Sequence, residues 1–350
     1  MRTLLLFLLL LPWSLFAQVK ILMPVVVKDT AGKAAADLKE SDFKVSGPKN
    51  VRVAELALVS PQTVMQDDSR SPIVMIYDAA NIPTDSSRLN VRDLRDFLGQ
   101  VASRQLPVTL LVNTEAGLRL IHNARTPPEI LSAALSATSK EKTTQPPVPV
   151  TDPKVEEEAR NLEFLNTAIR VTRSRLDADV DQMKSLLAFA RLVQQSPGRK
   201  ALVWVTVASP VSATELPAYW GTTEVRSDRA LLPMYEAMVE ELNSAHVSVY
   251  PLLFTQANPE SYGYLWDSWM GLKQLAESTG GLAFRLGQQT SLLAAVDATT
   301  SDLGSYYMLT MEAPTPKELD WIPVKITVDR PGLTVRAAPG FLGLKPAKTK

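Results

Sequence analysis

Two short apolar runs constrain this chain more than anything else in it. SPIVMIYDAANIPTD, residues 71–85, carries an unbroken apolar stretch from Ile73 to Tyr77 that ends on Asp78. RKALVWVTVAS, residues 199–209, carries a second apolar-rich run over 201–207. Runs of this length, bounded by turn residues and rich in β-branched side chains, fit strands buried on both faces. Such strands belong to a mainly parallel sheet covered by helices, whose ligand crevice lies outside the carboxyl ends of the strands. Asp78 therefore stands where a binding site is expected.

The segments between these runs alternate accordingly. Leu89, Leu94, Phe97, Leu98 and Val101 mark a helix over 88–104, with Asp85, Ser86 and Ser87 as N-cap candidates. A strand follows at 108–112, an antiparallel edge strand at 118–121, and a short helix at 127–137 with proline in its first turn. A polar, proline-rich loop at 139–153 leads into a helical pattern that continues over 153–196. At that length the pattern allows a protruding arm or an oligomer seam, or a helix whose second half covers the sheet. Beyond 201–207 the order is loop, helix 229–244, strand 247–254, helix 266–279 ending at a Gly280-Gly281 C-cap, strand 282–286 and helix 291–303. Residues 18–62 and 305–342 have a β pattern with turns. The reading is an α/β domain at 71–304, with a small β-sandwich built from the two terminal segments.

Residues 1–17 read as a secretory signal, with Arg2 ahead of an apolar core and Ala17 before the cleavage point. The expected location is periplasmic or extracellular. The apolar core is too short for a permanent span, which needs about 20 residues. The chain has no cysteine, so no disulfide supports it, and roughly 330 residues can bury a core without one. Beyond residue 17 there are 36 basic and 37 acidic residues. That balance gives no support to nucleic-acid or anionic-membrane binding.

Chemistry-bearing patterns are scarce. His122 and His246 each abut a strand without a partner at ligand spacing, and neither a nucleophile elbow nor a zinc-binding His-Glu-x-x-His occurs. The Glu156–Glu158 run suits the positive end of a helix. No catalytic residue, cofactor motif or enzyme activity is expected. The aromatics Tyr219, Trp220, Tyr262, Tyr264, Trp266 and Trp269 follow sheet strands. Tyr219, Trp220, Tyr264 and Trp266 are candidates for a partner-binding rim beside Asp78, since aromatics are enriched at interfaces. The alternative is that they fold back as loop core.

Several stretches together resemble the von Willebrand factor type A family in its acidobacterial secreted form. They are VVVKDTAGKAAADLKESDFKV, IVMIYDAA, SPGRKALVWVT, ELNSAHVSVYPL, LKQLAESTGGLAFRL, DLGSYYMLTMEAP and VKITVDRPGLTVRAAPGF, in the family's order. The resemblance implies a metal-ion-dependent adhesion site with an Asp-x-Ser-x-Ser motif, a threonine from a second loop and an aspartate after the central strand. Asp78 matches the first aspartate and Thr126 the threonine. Ala80 and Ile82 stand at the serine positions, and Thr206-Val207-Ala208 replaces the last turn. One carboxylate and one hydroxyl hold Mg²⁺ or Mn²⁺ poorly. The expectation is a metal-free, exported interaction module with a protein partner. Metal-dependent adhesion through Asp78 with substitute ligands, or a structural and oligomerising scaffold, are the alternatives.

Overall fold

A computed structural model describes residues 18–343, apart from 49–50, 61–72, 80–90, 115, 139–151, 169–174, 197, 211–230, 255–262, 287–290 and 315–319. The signal segment at 1–17 and nearly all of the proline-rich loop lie outside the described residues.

The two apolar runs form the middle of a six-stranded sheet. β4 (Ile73–Asp78) lies between β5 (Val108–Thr114) and β7 (Lys200–Thr206), both parallel to it. β8 (Val247–Phe254) and β9 (Phe284–Leu286) extend the parallel part, and β6 (Gly117–His122) turns back antiparallel at the other edge. The order is β6-β5-β4-β7-β8-β9. Every residue of β4, β7 and β8 is buried, which is why their sequences are mostly apolar without a polar–apolar alternation.

Alternate residues nevertheless serve different cores. Ile73, Met75, Tyr77, Val203, Val205 and Leu252 face one layer; Val74, Ile76, Leu202, Trp204 and Val249 face the other. The first layer is built by α1 (Val91–Arg104), α2 (Pro128–Ala137), α3 (Pro153–Ala168) and α7 (Leu292–Gly304). Leu94, Phe97, Leu98 and Val101 of α1 supply its stripe at spacings of three and four. The second layer is built by α4 (Arg175–Val193), α5 (Leu232–Ser244) and α6 (Gly263–Ser278). The result is a mixed α/β unit with a mainly parallel sheet between two helical layers.

The expected helix over 153–196 is thus corrected to two. Val155 and Leu162 of α3 enter the first core, and Met183, Leu186, Phe189 and Ala190 of α4 enter the second. One straight helix cannot cover both faces of a sheet. Each half is anchored by its own apolar stripe, so the described residues offer no uninterrupted helix as an oligomer seam.

The glycine pair after α6 closes that helix with a Schellman motif. Gly280 N–H donates to Glu277 O and Gly281 N–H to Ala276 O. Gly280 has φ +70°, and a Cβ on Gly281 would stand 1.9 Å from Val249 O. That approach seats α6 directly on β8.

The two chain ends share a second sheet. β1 (Gln18–Asp29) pairs antiparallel with β10 (Tyr306–Pro314) from Gln18↔Pro314 to Val25↔Tyr307. It then pairs with β13 (Leu333–Arg336) from Val26↔Arg336 to Asp29↔Leu333. β3 (Arg52–Val59) lies on the far side of β10. β2 (Phe43–Ser46) pairs with β12 (Lys325–Val328), and β11 (Asp320–Pro323) with β14 (Gly340–Gly343). Met23, Val25, Val27, Phe43, Tyr307, Leu309, Met311, Ile326 and Phe341 form one cluster of buried apolar side chains among these strands. Phe43 meets Tyr307 edge-on at 5.3 Å.

Candidate functional site

The last residues of β5, β4 and β7 place three polar side chains side by side. Asp78 is opposite Asn113 in the parallel register, and Thr206 ends the strand on the other flank. Each follows the alternation that directs Val74, Ile76, Leu202 and Trp204 to the second core. These polar groups therefore lie on the helix-covered face, beneath α4.

That helix completes the set. Asn113 Nδ2 donates to Asp78 Oδ1 at 2.9 Å, and Gln182 Nε2 from α4 donates to Oδ2 at 2.5 Å. Thr206 Oγ1 donates to Oδ2 at 3.1 Å and accepts from Gln182 Nε2 at 3.2 Å. Ser185, one turn along α4, donates to Asn113 Oδ1 at 2.9 Å and so fixes the orientation of that amide. Asp78 is 0% exposed, Thr206 0%, Gln182 1% and Asn113 2%. Both carboxylate oxygens act as acceptors, and hydrogen bonds to such a group are worth about 1.5–3 kcal/mol each. Gln182 Oε1 is buried with no partner among the described residues.

This geometry tests the implied metal site. A hard divalent cation needs several oxygen ligands around its carboxylate. Among the described residues Asn113 and Gln182 meet Asp78 through amide N–H groups, and Thr206 meets it through a hydroxyl. Among the described residues no group of three His, Cys, Asp or Glu is placed to hold a metal ion. The described donor set does not fit Mg²⁺ or Mn²⁺.

Thr126 is not brought to Asp78. β6 runs backwards, from Gly117 opposite Thr114 to His122 opposite Leu110, and Ala124 N–H bonds to Thr109 Oγ1 near the start of β5. Thr126 therefore lies toward the amino ends of the parallel strands, whereas Asp78 closes a carboxyl end. Among the described residues the threonine that touches Asp78 is Thr206. Tyr219 and Trp220 of the expected rim lie outside the described residues. Tyr264 and Trp266 fall in α6, but their side chains lie outside the description. Trp269 packs against the second core under the guanidinium of Arg285, 4.7 Å from its ring.

The two histidines are engaged structurally. His122 is buried and its Nδ1 lies 2.5 Å from Glu158 Oε1 of α3, so one residue of the acidic run near the start of that helix is also a buried partner. His246 takes the left-handed conformation, φ +54°, just after α5. Burial first, then the charge of Lys200, holds its pKa below the usual histidine value. Lys200 itself donates to Ala245 O at 2.7 Å and Gly198 O at 3.1 Å, and burial pushes its amine down to about 8.

A second polar cluster was not foreseen. Arg199, just before β7, donates through Nε to Ser248 Oγ at 3.0 Å, and through Nη2 to Tyr250 Oη at 2.9 Å and Gly280 O at 2.8 Å. Tyr250 donates to Asp302 Oδ2 of α7 at 2.7 Å. Arg336 Nη2 of β13 and Lys28 Nζ of β1 both reach Asp302 Oδ1 at 2.6 Å. Burial alone would raise the Asp302 pKa. The Arg336 hydrogen bond and charge, then the charge of Arg199 and the Lys28 bond, outweigh burial and leave it below the usual carboxylate value. The cluster joins the terminal sheet to the α/β unit.

No protein-family model matches the sequence, and no curated protein does either. Among solved structures, the chain is similar to proximal thread matrix protein 1 from the mussel byssus (TM-score 0.32, 10% identity, covering 68% of this chain and 47% of that one). One structure of that mussel protein has a zinc-occupied MIDAS motif. The pilus adhesin SpaC from Lactobacillus rhamnosus GG gives a TM-score of 0.37 at 9% identity, over 86% of this chain and 47% of that one. The N-terminal domain of TFIIH p34 gives 0.34 at 11% identity, over 68% of this chain and 99% of that one. The chain spans about half the length of the mussel and pilus proteins. Similarity at this level carries no functional argument for this chain.

Proposed function

We propose that this chain is an exported, non-enzymatic protein-interaction module of the von Willebrand factor A type, in its acidobacterial secreted form, and that it works without a metal ion. In this reading 71–304 is the interaction domain, and 18–62 with 305–342 form a small β-sandwich beside it. A protein partner docks on the rim outside the carboxyl ends of the parallel strands, with Tyr219, Trp220, Tyr264 and Trp266 as anchors. The observation that carries the reading is the state of Asp78. Asn113, Gln182 and Thr206 engage both its oxygens beneath α4. A carboxylate held this way is a brace between three strands and a helix, not an open ligand for a cation or a reacting group.

Thermal unfolding with Mg²⁺ or Mn²⁺ against a chelator, for wild type and Asp78→Ala, tests the metal. A ligand that binds only the folded state must raise its stability with occupancy, so no shift is expected in either protein. A metal-dependent rise that Asp78→Ala abolishes would restore the metal-dependent adhesion reading. For the rim, Trp220→Ala and Trp266→Ala should each weaken capture of the native partner while unfolding at the wild-type temperature. Unchanged capture in both would remove the rim.

A further inference from the structure

Among the described residues positive charge outnumbers negative around Asp302. Lys28, Arg199 and Arg336 gather there, and Asp302 is the carboxylate that Lys28 and Arg336 contact. The surroundings are largely dry: Arg199 is 2% exposed, and the Lys28 and Arg336 side chains are 15% and 20% exposed. Arginine stays protonated throughout the ordinary pH range, and a buried charge without a counter-ion is costly.

The hydrogen bonds are incomplete on the same side. Nε and Nη2 of Arg199 are satisfied by Ser248, Tyr250 and Gly280. Nη2 of Arg336 is satisfied by Asp302. Nη1 of Arg199 and Nη1 of Arg336 are both buried without a partner among the described residues. The two guanidiniums are linked through two side chains: Arg199 Nη2 donates to Tyr250 Oη, Tyr250 donates to Asp302 Oδ2, and Arg336 Nη2 donates to Asp302 Oδ1. Both oxygens of Asp302 are already engaged, by Tyr250 on one side and by Lys28 and Arg336 on the other. Among the described residues no acceptor meets either Nη1 group, and a negatively charged one would suit both.

We propose that the open Nη1 groups of Arg199 and Arg336 hold a small monovalent anion of the halide class at the junction of β7, β8, α7 and β13. Charge-assisted hydrogen bonds from two guanidiniums are the strongest donors a side chain offers to such an ion. One negative charge offsets part of the excess, and the partly exposed Lys28 and Arg336 share the remainder with solvent. The site is independent of the rim and of Asp78.

The test is thermal unfolding of the full chain at pH 7 with sodium chloride replacing sodium gluconate at constant ionic strength. Chloride should raise Tm with the logarithm of its concentration once above its Kd, by about 2 °C or more at a tenfold excess. The rise should vanish in Arg336→Gln. Chloride-35 NMR gives a second readout on wild type alone, needing no variant to fold: the protein should broaden the chloride line, and bromide should relieve the broadening. Equal Tm in the two salts, an undiminished chloride response in Arg336→Gln, or broadening that bromide leaves untouched would each overturn the site.

Discussion

Asp78 and Asp302 are both buried carboxylates, yet the molecule satisfies them in opposite ways. Asp78 sits on one face of the six-stranded sheet, at its carboxyl end, and receives two amides and a hydroxyl from β5, β7 and α4. Asp302 comes from α7 on the other face and is met by Lys28, Arg336 and Tyr250, with Arg199 behind the phenol. The first set draws on elements of one layered unit. The second draws on β1 and β13 of the terminal sheet as well. Neutral donors suit a brace within a unit, where strand register already fixes the geometry. Ion pairs suit the joint between units, where charge selects one docking arrangement against others.

The sharpest way to break this comparison is to neutralise the joint. Asp302→Asn leaves Lys28, Arg199 and Arg336 without their carboxylate, and removing one partner of a buried pair costs about 3–5 kcal/mol. Urea unfolding should show that loss, and a value under 1 kcal/mol would mean that the cluster is already balanced by something else. The pH dependence has a fixed sign. A carboxylate with a depressed folded-state pKa contributes stability that is present above its unfolded value of 3.8 and is lost as pH falls through the lower folded value. Wild type should therefore lose this contribution below about pH 4, a loss that Asp302→Asn should not show.

A smaller effect is expected at the brace. Gln182→Ala removes the donor shared by Asp78 and Thr206, and leaving a buried acceptor short of a hydrogen bond costs about 1–3 kcal/mol. Urea unfolding of this variant measures it, and Gln182→Glu should cost more, because it places a second carboxylate against the first. The smallest effect belongs to the exposed pair Lys20–Glu55, whose side chains are 62% and 66% exposed at 3.1 Å. Lys20→Ala should change stability by less than about 0.5 kcal/mol. If it matched Gln182→Ala, burial would not be what distinguishes these clusters.

The central sheet was legible because burial on both faces leaves its mark in composition: β4, β7 and β8 are apolar but for Asp78, Lys200, Thr206 and Ser248. The antiparallel edge at β6 was legible from Gly117 and the short run behind it. The division of the 153–196 pattern into α3 and α4 was not, since spacings of three and four record that a helix has an apolar stripe but not which face of a sheet receives it. Asp78 stood out as a carboxylate closing an apolar run. Its partners did not. Asn113 looked like the end of a strand, and Gln182 sits one residue before Met183 in a stripe where a polar side chain reads as surface. The mapping of Thr126 failed because motif spacing is blind to the direction of β6, which carries that threonine to the wrong end of the sheet. Arg199 was hidden in SPGRK, which has the composition of a turn; its burial comes from Tyr250 and Gly280, which are far away in the chain.

The pairing of β1 with β10 sets an order of events for the growing polypeptide. Val25 meets Tyr307 about 280 residues downstream, and closing a loop of that length is entropically dear until the intervening unit has folded and brought its ends together. Until then Met23, Val25 and Val27 belong to a strand with no neighbour, the kind of apolar edge that invites association with other chains. The first strand to be made is therefore among the last to be secured. A chain interrupted between Leu286 and Tyr306 would own all six strands of its central sheet and still display an unpartnered β1, so the fold itself distinguishes a finished polypeptide from an unfinished one.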